Sequence, residues 1–427
     1  MKTFGKLFIF IVIAFIGALY WSLSSTNENF KKAELLNIDN ISSFNFKAID
    51  SVVLAASTLY KADDIKLLMQ GEQYRKAWET PIKVPVIFLD SLQGGMEVLK
   101  KGGGKQTHSL KLESEKGIKY TLRSINKDPR ALIPDLAKTL GLENIVIDGI
   151  SAQHPYGAIL VSELAKAASI YTTHPKIVFI PKQKILENYN AQFGNRLYLL
   201  EYETDSHVNW TNNKNAIEII ETDDLQKLKL NQENTVVIDK SALIRLRLFD
   251  FLIGDWDRHA KQYGWVIEKQ DHNYRAIPLA GDRDNAFFKT EGIIPTILSN
   301  KNMVPELQSF EKEIDFMPGL VYPFDRYFLY NTSEKVFIAE AEKLQKSLTN
   351  KVIYDALNAW PKEIQALDGK EIIEKMISRR IDLVAYAKEF KKVIDKKGVV
   401  KDPLKGSGKL NLPLELLECF DCTKKVN

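Results

Sequence analysis

Cysteine is almost missing from this chain, with two in 427 residues, Cys419 and Cys422 of the C-terminal ECFDC. Two thiolates are too few for a structural zinc site. They leave either a local disulfide, which an exported protein can form, or two free thiols. Histidine is also sparse: His108, His154, His174, His207 and His272 show no metal-ligand spacing, and only His259 stands in a suggestive motif. No G-x-S-x-G elbow is present, which removes the commonest sign of a serine nucleophile. The charge excess is small, +4, and no long Lys/Arg run stands beside an aromatic stripe, so nucleic acid is not an expected partner. Internal repeats and long low-complexity tracts are absent too.

What is there begins at the N-terminus. Lys2 and Lys6 precede an uncharged run, Leu7 to Leu23, that ends in Tyr20 and Trp21. A positive start followed by an apolar core is the pattern of an export signal. The run is near the short end of the roughly 17–25 residues a spanning helix needs. Its two aromatic residues sit where interfacial anchors sit. No clean small-residue cleavage site and no lipid-anchor cysteine follow, so a retained single-pass anchor is preferred over a removed signal. The body is then expected outside the cytoplasm, either anchored to an inner membrane with the body in the periplasm or exported.

The expected organisation is a signal or membrane anchor over 1–25, a linker over 26–50, a strand-rich N-lobe and hinge over 51–203, a helical C-lobe over 204–395, and a tail over 396–427. VPVIFLD (Val84 to Asp90) reads as a strand. The alternating runs on either side of Glu115-Lys116-Gly117 read as a hairpin. A helix over His154 to Ile170, then strands at Pro175 to Pro181 and Arg196 to Glu203, come next. Asp239 can cap a helix that ends at Gly254. A second hairpin turns at Asp271-His272-Asn273, and Glu371 to Lys392 reads as a single helix. That order predicts an α+β chain with a bilobal, atypical protein-kinase-like fold.

Chemistry gathers in two turns, GDWDRHAKQYGW (Gly254 to Trp265) and GDRDN (Gly281 to Asn285). Asp257, Arg258 and His259 form a candidate catalytic turn in which one carboxylate can orient a hydroxyl nucleophile. The amide of Gln262 and the carboxylates of Asp282 and Asp284 are candidate ligands for Mg2+ or Mn2+, hard cations that take oxygen. The bland alternatives are a loop of surface ion pairs and an ordinary polar turn. GGGKQT (Gly102 to Thr107) precedes a strand, and glycines there would let Gly103, Gly104, Lys105, Gln106 and Thr107 approach phosphates. The loop lacks a Gly-Lys-Ser/Thr ending, and a plain exposed turn is an equal reading. Arg123 or Lys127 could supply the cation that steadies nucleotide phosphates, with Glu163 as a possible counterion. Glu201 and Glu203 lie where a hinge would offer backbone contacts to adenine.

At these residues the chain resembles the atypical kinases typified by HipA, the CotH spore-coat kinases, the secretory-pathway kinases and the phosphoinositide kinases. The resemblance implies Asp257 as base, Gln262 as metal-binding amide, and Asp282 or Asp284 as metal carboxylate. From about Tyr60 to Ile394 the chain also looks like an exported bacterial group that repeats a GGG-x-QT-x-SL segment, an LRS-x-x-KDP segment and a GDWDRH turn. Gln262 stands where those kinases have Asn, and Arg123 where they have Lys. Arg is a fork where Lys is a point charge.

Three functions follow as expectations. The first is an exported or membrane-anchored phosphotransferase that moves a phosphoryl or nucleotidyl group from ATP or another nucleotide, with Mg2+ or Mn2+, to a hydroxyl of an envelope protein, lipid or glycan. The second is an inactive pseudokinase that serves as an envelope scaffold. The third, a metal-dependent phosphoesterase, lacks the several His/Asp ligands of a two-metal site.

Overall fold

The computed structural model describes residues 2–24, 34–36, 38, 40–41, 43–103 and 107–422. Helix α1 (Lys2–Ser24) opens the chain, and its first sixteen or so residues leave most of their apolar side chains exposed. It is long and apolar enough to cross a membrane. A three-stranded antiparallel sheet follows, made of β1 (Glu34–Leu35), β2 (Ser51–Ala55) and β3 (Ile82–Pro85), with α2 (Asp64–Gln70) between its last two strands. The stretch read as a linker therefore contributes β1, and it buries Phe46 against Phe179 at 5.2 Å between ring centres.

The strand expected over Val84 to Asp90 stops early. Val86 leaves β3 and bridges to Phe179 of the next sheet, so the segment joins two sheets instead of lengthening one. That next sheet has five antiparallel strands. Its first three, β4 (Met96–Gly102), β5 (Thr107–Ser114) and β6 (Lys119–Lys127), form a meander. Short helices α3 (Asp135–Thr139) and α4 (Glu143–Asp148) and the longer α5 (Gly157–Ala167) come next. After β7 (Tyr171–Thr172), the strands β8 (Lys176–Ile180) and β9 (Arg196–Tyr202) complete the order β4-β5-β6-β9-β8.

Alternation along the strands decides what each face carries. Tyr120 and Leu122 of β6, with Tyr198 and Leu200 of β9, turn to a small core on one face. Arg123 pairs in register with Leu199, and Thr121 with Glu201, so Arg123 and Glu201 point to the opposite face.

The second half is built on β10 (Ala216–Glu221), α6 (Thr222–Gln232), β11 (Val236–Ile238), α7 (Lys240–Ile253), β12 (Tyr263–Gln270) and β13 (Asn273–Ala280). Strand order is β10-β12-β13-β11, and β7 pairs parallel to β13. The β12–β13 hairpin turns where the sequence predicts it. Asp239 caps α7 through Ala242 N, and Gly254 ends the helix at φ 66°. A Cβ at Gly254 would meet Phe310 at 2.6 Å, which favours glycine twice over.

After α8 (Ile293–Leu298) the chain is helical: α9 (Pro323–Leu329), α10 (Glu334–Ser347), α11 (Lys370–Ile381) and α12 (Leu383–Lys397). The last two were expected as one helix, and they are separated at Asp382. The tail returns through α13 (Leu414–Glu418), buries Leu404, Leu416 and Phe420, and closes a Cys419–Cys422 disulfide. The fold is mixed α+β, and the face of the five-stranded sheet that carries Arg123 looks toward the ends of β12 and β13.

Candidate functional site

Helix α7 is buried nearly all round, yet it carries Arg247 and Asp250 inside. Buried charges persist only when paired. Arg247 bonds Asp250 and Asp325, each at 2.6 Å. Arg283 reaches Asp250 and also Asp255, the latter at 3.1 Å. Arg258 lies 3.3 Å from Asp250, donates to the carbonyls of Gly281 (3.1 Å) and Asp282 (3.4 Å), and sits 4.6 Å over the Tyr263 ring. Three arginines and three aspartates thus bind α7, the turn after it, the acidic turn and α9 into one buried lattice.

This corrects one expectation. Arg258 has no exposed surface, so it positions the two turns and cannot contact a substrate. Asp250, Asp255 and Arg283 belong to the same frame and were not picked out from the sequence. The available signal was a pair of charges, Arg247 and Asp250, inside an otherwise apolar helix. Burial pushes the Asp255 carboxyl up to about 6, against the pull of Arg258 and Arg283.

On that frame Asp257 is half-buried, with its Oδ1 3.8 Å from His259 Nε2. His259 Nδ1 accepts from Lys261 N at 3.2 Å, which fixes the ring. Burial lowers the His259 pKa, and the nearby Asp257 only partly offsets this. The Tyr322 hydroxyl donates to Trp256 O at 2.6 Å and steadies the turn from the helical side. Gln262 is buried at the mouth of β12, and its carbonyl accepts from Gly281 N at 3.0 Å. That bond places the acidic turn beside the catalytic-type turn.

Asp282 adopts a left-handed backbone, φ 51°, which is uncommon for a residue other than glycine. Its Oδ2 accepts from Arg123 at 3.1 Å, and its Oδ1 is buried without a hydrogen-bond partner. Burial, then the neighbouring Asp284 and Glu201 charges, push its pKa up to about 7, with Arg123 and Lys127 pulling the other way. Asp284 is partly exposed; desolvation works against its charged form, but Lys127 and Arg123 outweigh that cost and hold it below the usual carboxylate range. Asp284 also bonds Lys127 at 2.5 Å and Asn285 at 3.1 Å, and Gln153 joins Lys127 to Asn285.

Across the cleft stand the two cations of β6. Arg123 donates to Glu201 Oε1 at 2.9 Å, and Glu201 Oε2 accepts from Thr173 at 2.6 Å. The carboxylate of Glu201 is thus the counterion of Arg123, where the sequence suggested a backbone contact to a base. Glu163 instead pairs with Lys166 on the surface of α5. Glu203 pairs with Lys111. A cavity of about 110 Å3 is bounded by Arg123, Thr173, Glu201, Gln262 and Asp282 among others. A narrower one on the far side of Arg123 is bounded by Lys127, Gln153, His154 and Asp284.

The glycine loop joins β4 to β5. Thr107 lies opposite Lys127 in register, so the loop stands at the end of the strand that carries the second cation. Gly103 has φ 101°, and a Cβ there would fall 2.2 Å from Thr107 O. Gly104, Lys105 and Gln106 lie outside the described residues.

Among the described residues no group of three or more His, Cys, Asp or Glu side chains stands together as a metal site. The fit for a divalent cation rests on less: two adjacent carboxylates, an orphaned buried oxygen on Asp282, and an amide lining the same cavity. Those are hard oxygen donors of the kind Mg2+ or Mn2+ takes.

No family model and no curated protein matches the chain. Among solved structures it is similar to the Helicobacter pylori proinflammatory kinase CtkA, with 11% identity, 70% of this chain and 96% of that chain covered, and a TM-score of 0.37. It is also similar to the Shewanella oneidensis complex of the toxin–antitoxin system HipA and HipB with operator DNA, with 11% identity, 74% and 68% covered, and a TM-score of 0.28. At those scores nothing is carried from either protein to this chain.

Proposed function

We propose that the chain is a nucleotide- and metal-dependent phosphotransferase of the kinase type. Its two lobes would be the five-stranded sheet with α5 and the part built on α7, the β12–β13 hairpin and the later helices. The observation that carries this reading is the meeting of Arg123 and Lys127, from the third strand of the sheet, with Asp282 and Asp284 at the end of a hairpin that begins beside Asp257 and Gln262. Phosphoryl transfer needs cations for phosphate, oxygen ligands for a metal, and a carboxylate beside the attacking hydroxyl. Few other chemistries need all three in one cleft.

In this reading Asp257 orients a hydroxyl and accepts its proton as the new O–P bond forms and the bond to the nucleoside diphosphate breaks. His259 keeps Asp257 in place. Asp282 and Asp284, with Gln262, hold Mg2+ or Mn2+, which would neutralise charge on the phosphate oxygens. Arg123 and Lys127 turn from these aspartates to the phosphates. The acceptor is an envelope protein, lipid or glycan hydroxyl, and α1 anchors the body at the periplasmic face of an inner membrane.

The test is transfer of radiolabelled γ-phosphate by the full chain, with Mg2+ or Mn2+, to itself or to an envelope fraction. Labelling lost in Asp257→Ala, with thermal stability kept, supports the assignment. Labelling retained in that variant removes Asp257 from the role. A second reading, a scaffold that binds without turnover, is favoured by one observation: both metal carboxylates are already neutralised by Arg123 and Lys127. It predicts no labelling and no loss of partner binding on changing Asp282 and Asp284 to Asn.

A further inference from the structure

Helix α1 does not leave the body through a free tether. Its last turns are fixed to three separate elements. Gln70 of α2 donates to Ser22 Oγ at 3.2 Å, and Asn144 of α4 donates to Leu23 O at 3.1 Å. The Tyr20 hydroxyl donates to Leu140 O, just after α3, at 2.8 Å, and Trp21 reaches Asp63 beside α2 at 3.4 Å. Ser22 and Leu23 are buried by these contacts, while the rest of the apolar helix projects.

The same neighbourhood exposes large apolar side chains. Leu136 and Leu140, at α3, are 70% and 47% exposed, and Leu68 of α2 is 61% exposed. Helix α8 packs against α2: a Cβ on Gly292, at its start, would stand 2.2 Å from Gly71 N. That helix and the turn after it expose Ile297 (51%), Leu298 (42%) and Met303 (60%). Scattered exposed apolar residues need no explanation, but a cluster on adjoining elements does.

We propose that the surface formed by α2, α3 and α8 lies in the interfacial layer of the phospholipid bilayer that α1 enters. The argument is one of continuity. An apolar span rooted by hydrogen bonds among these elements brings the bilayer surface to them, and Tyr20 and Trp21 stand at the junction, where amphipathic rings favour the headgroup level. Short helices with leucine, isoleucine and methionine on their outer side then gain by burial in the acyl boundary. The body is held in one orientation on the membrane and does not swing on a linker. The proposal stands apart from the phosphotransferase reading and survives its failure.

The experiment uses the full chain in phospholipid nanodiscs that contain a doxyl-labelled lipid. Single cysteines carrying a fluorophore replace Leu136, Ile297 or Met303, with Ile13 as the reference within α1. Val237 on β11 and Leu414 on α13, both exposed and apolar, serve as controls elsewhere in the fold. The native cysteines are paired and leave no competing thiol. Lipid quenching at the three patch positions, well above that at Val237 and Leu414, is the expected result. Quenching at Ile13 alone would overturn the proposal and leave a spanning helix with a detached body. No quenching at Ile13 would overturn it as well, since the patch would have no bilayer beside it. Patch labels shielded from water but not quenched by lipid would assign the surface to a protein partner or a second copy and so reject the bilayer.

Discussion

Asp282 is the residue on which pH acts most directly. Its folded pKa, near 7, lies above the value of about 3.9 for an unperturbed aspartate. Without metal, the folded chain holds a proton that the unfolded chain releases, so this residue's contribution to stability falls as pH rises from about 4 toward 7. Metal binding needs the ionised form and should strengthen over the upper part of that window. Magnesium affinity measured by calorimetry is expected to rise roughly tenfold per pH unit below 7 and to level off above it. Asp282→Asn should flatten that profile, and an unchanged slope in the variant would remove Asp282 from the metal site. The catalytic-type turn gives a contrasting pair. Asp257 is partly exposed and outside the buried lattice, so Asp257→Ala should change stability by no more than about 0.5 kcal/mol while turnover falls by about 10²–10⁴. Arg258 is fully buried among Asp250, Asp255 and two carbonyls. Arg258→Ala strands those carboxylates and should cost about 3–5 kcal/mol, seen as a lower denaturant midpoint. If both variants lost activity with equal loss of stability, the division between acting and positioning residues would be wrong.

At the scale of elements, the hairpins and the capped helix were legible because their signals are local. Alternation over Thr107–Ser114 and Lys119–Lys127, a turn at Asp271 to Asn273, and Asp239 and Gly254 around α7 each lie within a few residues of what they specify. Illegible were the pairings that join distant segments: Arg123 with Glu201 and Asp282, and Arg258 with Asp250 and the acidic turn. No local period records that β6 and β13 end facing one another. The missed break at Asp382 has a different cause, since the apolar spacing runs on through a single residue with φ −90° and ψ 6°. The tail offers a test at this scale. It buries Leu404, Leu416 and Phe420 against the helical part, and Phe420 N bonds Tyr327 O at 3.0 Å. The Cys419–Cys422 link encloses a very short loop, for which chain entropy gives only about 2 kcal/mol. Replacing both cysteines by serine should therefore lower the unfolding midpoint modestly and leave nucleotide binding unchanged. Loss of nucleotide binding would mean that the disulfide sets the part of the tail where Gly406 meets Lys261 beside the cleft.

For the whole molecule, the two halves of the site sit on different parts of the fold. Arg123 and Lys127 belong to the five-stranded sheet, and Asp282 and Asp284 to the turn after β13. In the free protein they are joined directly by their own ion pairs, so the cleft is closed by the same charges that would hold a ligand. Metal alone should bind weakly, because it must displace Arg123 and Lys127, leaving Arg123 only Glu201 and Lys127 no carboxylate. Nucleotide alone should also bind weakly, because its phosphates meet two carboxylates that line the same cleft. The two together satisfy every charge: phosphate takes the cations, and metal takes the carboxylates. Stabilisation should then be strongly non-additive. Saturation at a hundredfold excess over Kd is worth about 2.7 kcal/mol, a rise of a few degrees in the thermal midpoint. That rise should need both ligands and vanish when Asp282 and Asp284 are changed to Asn. Changing Arg123 and Lys127 to Met should reverse the pattern, by freeing the carboxylates so that metal alone stabilises the chain. Equal, additive shifts from metal and nucleotide would place them at separate sites, and the kinase-type cleft would no longer account for the charges gathered there.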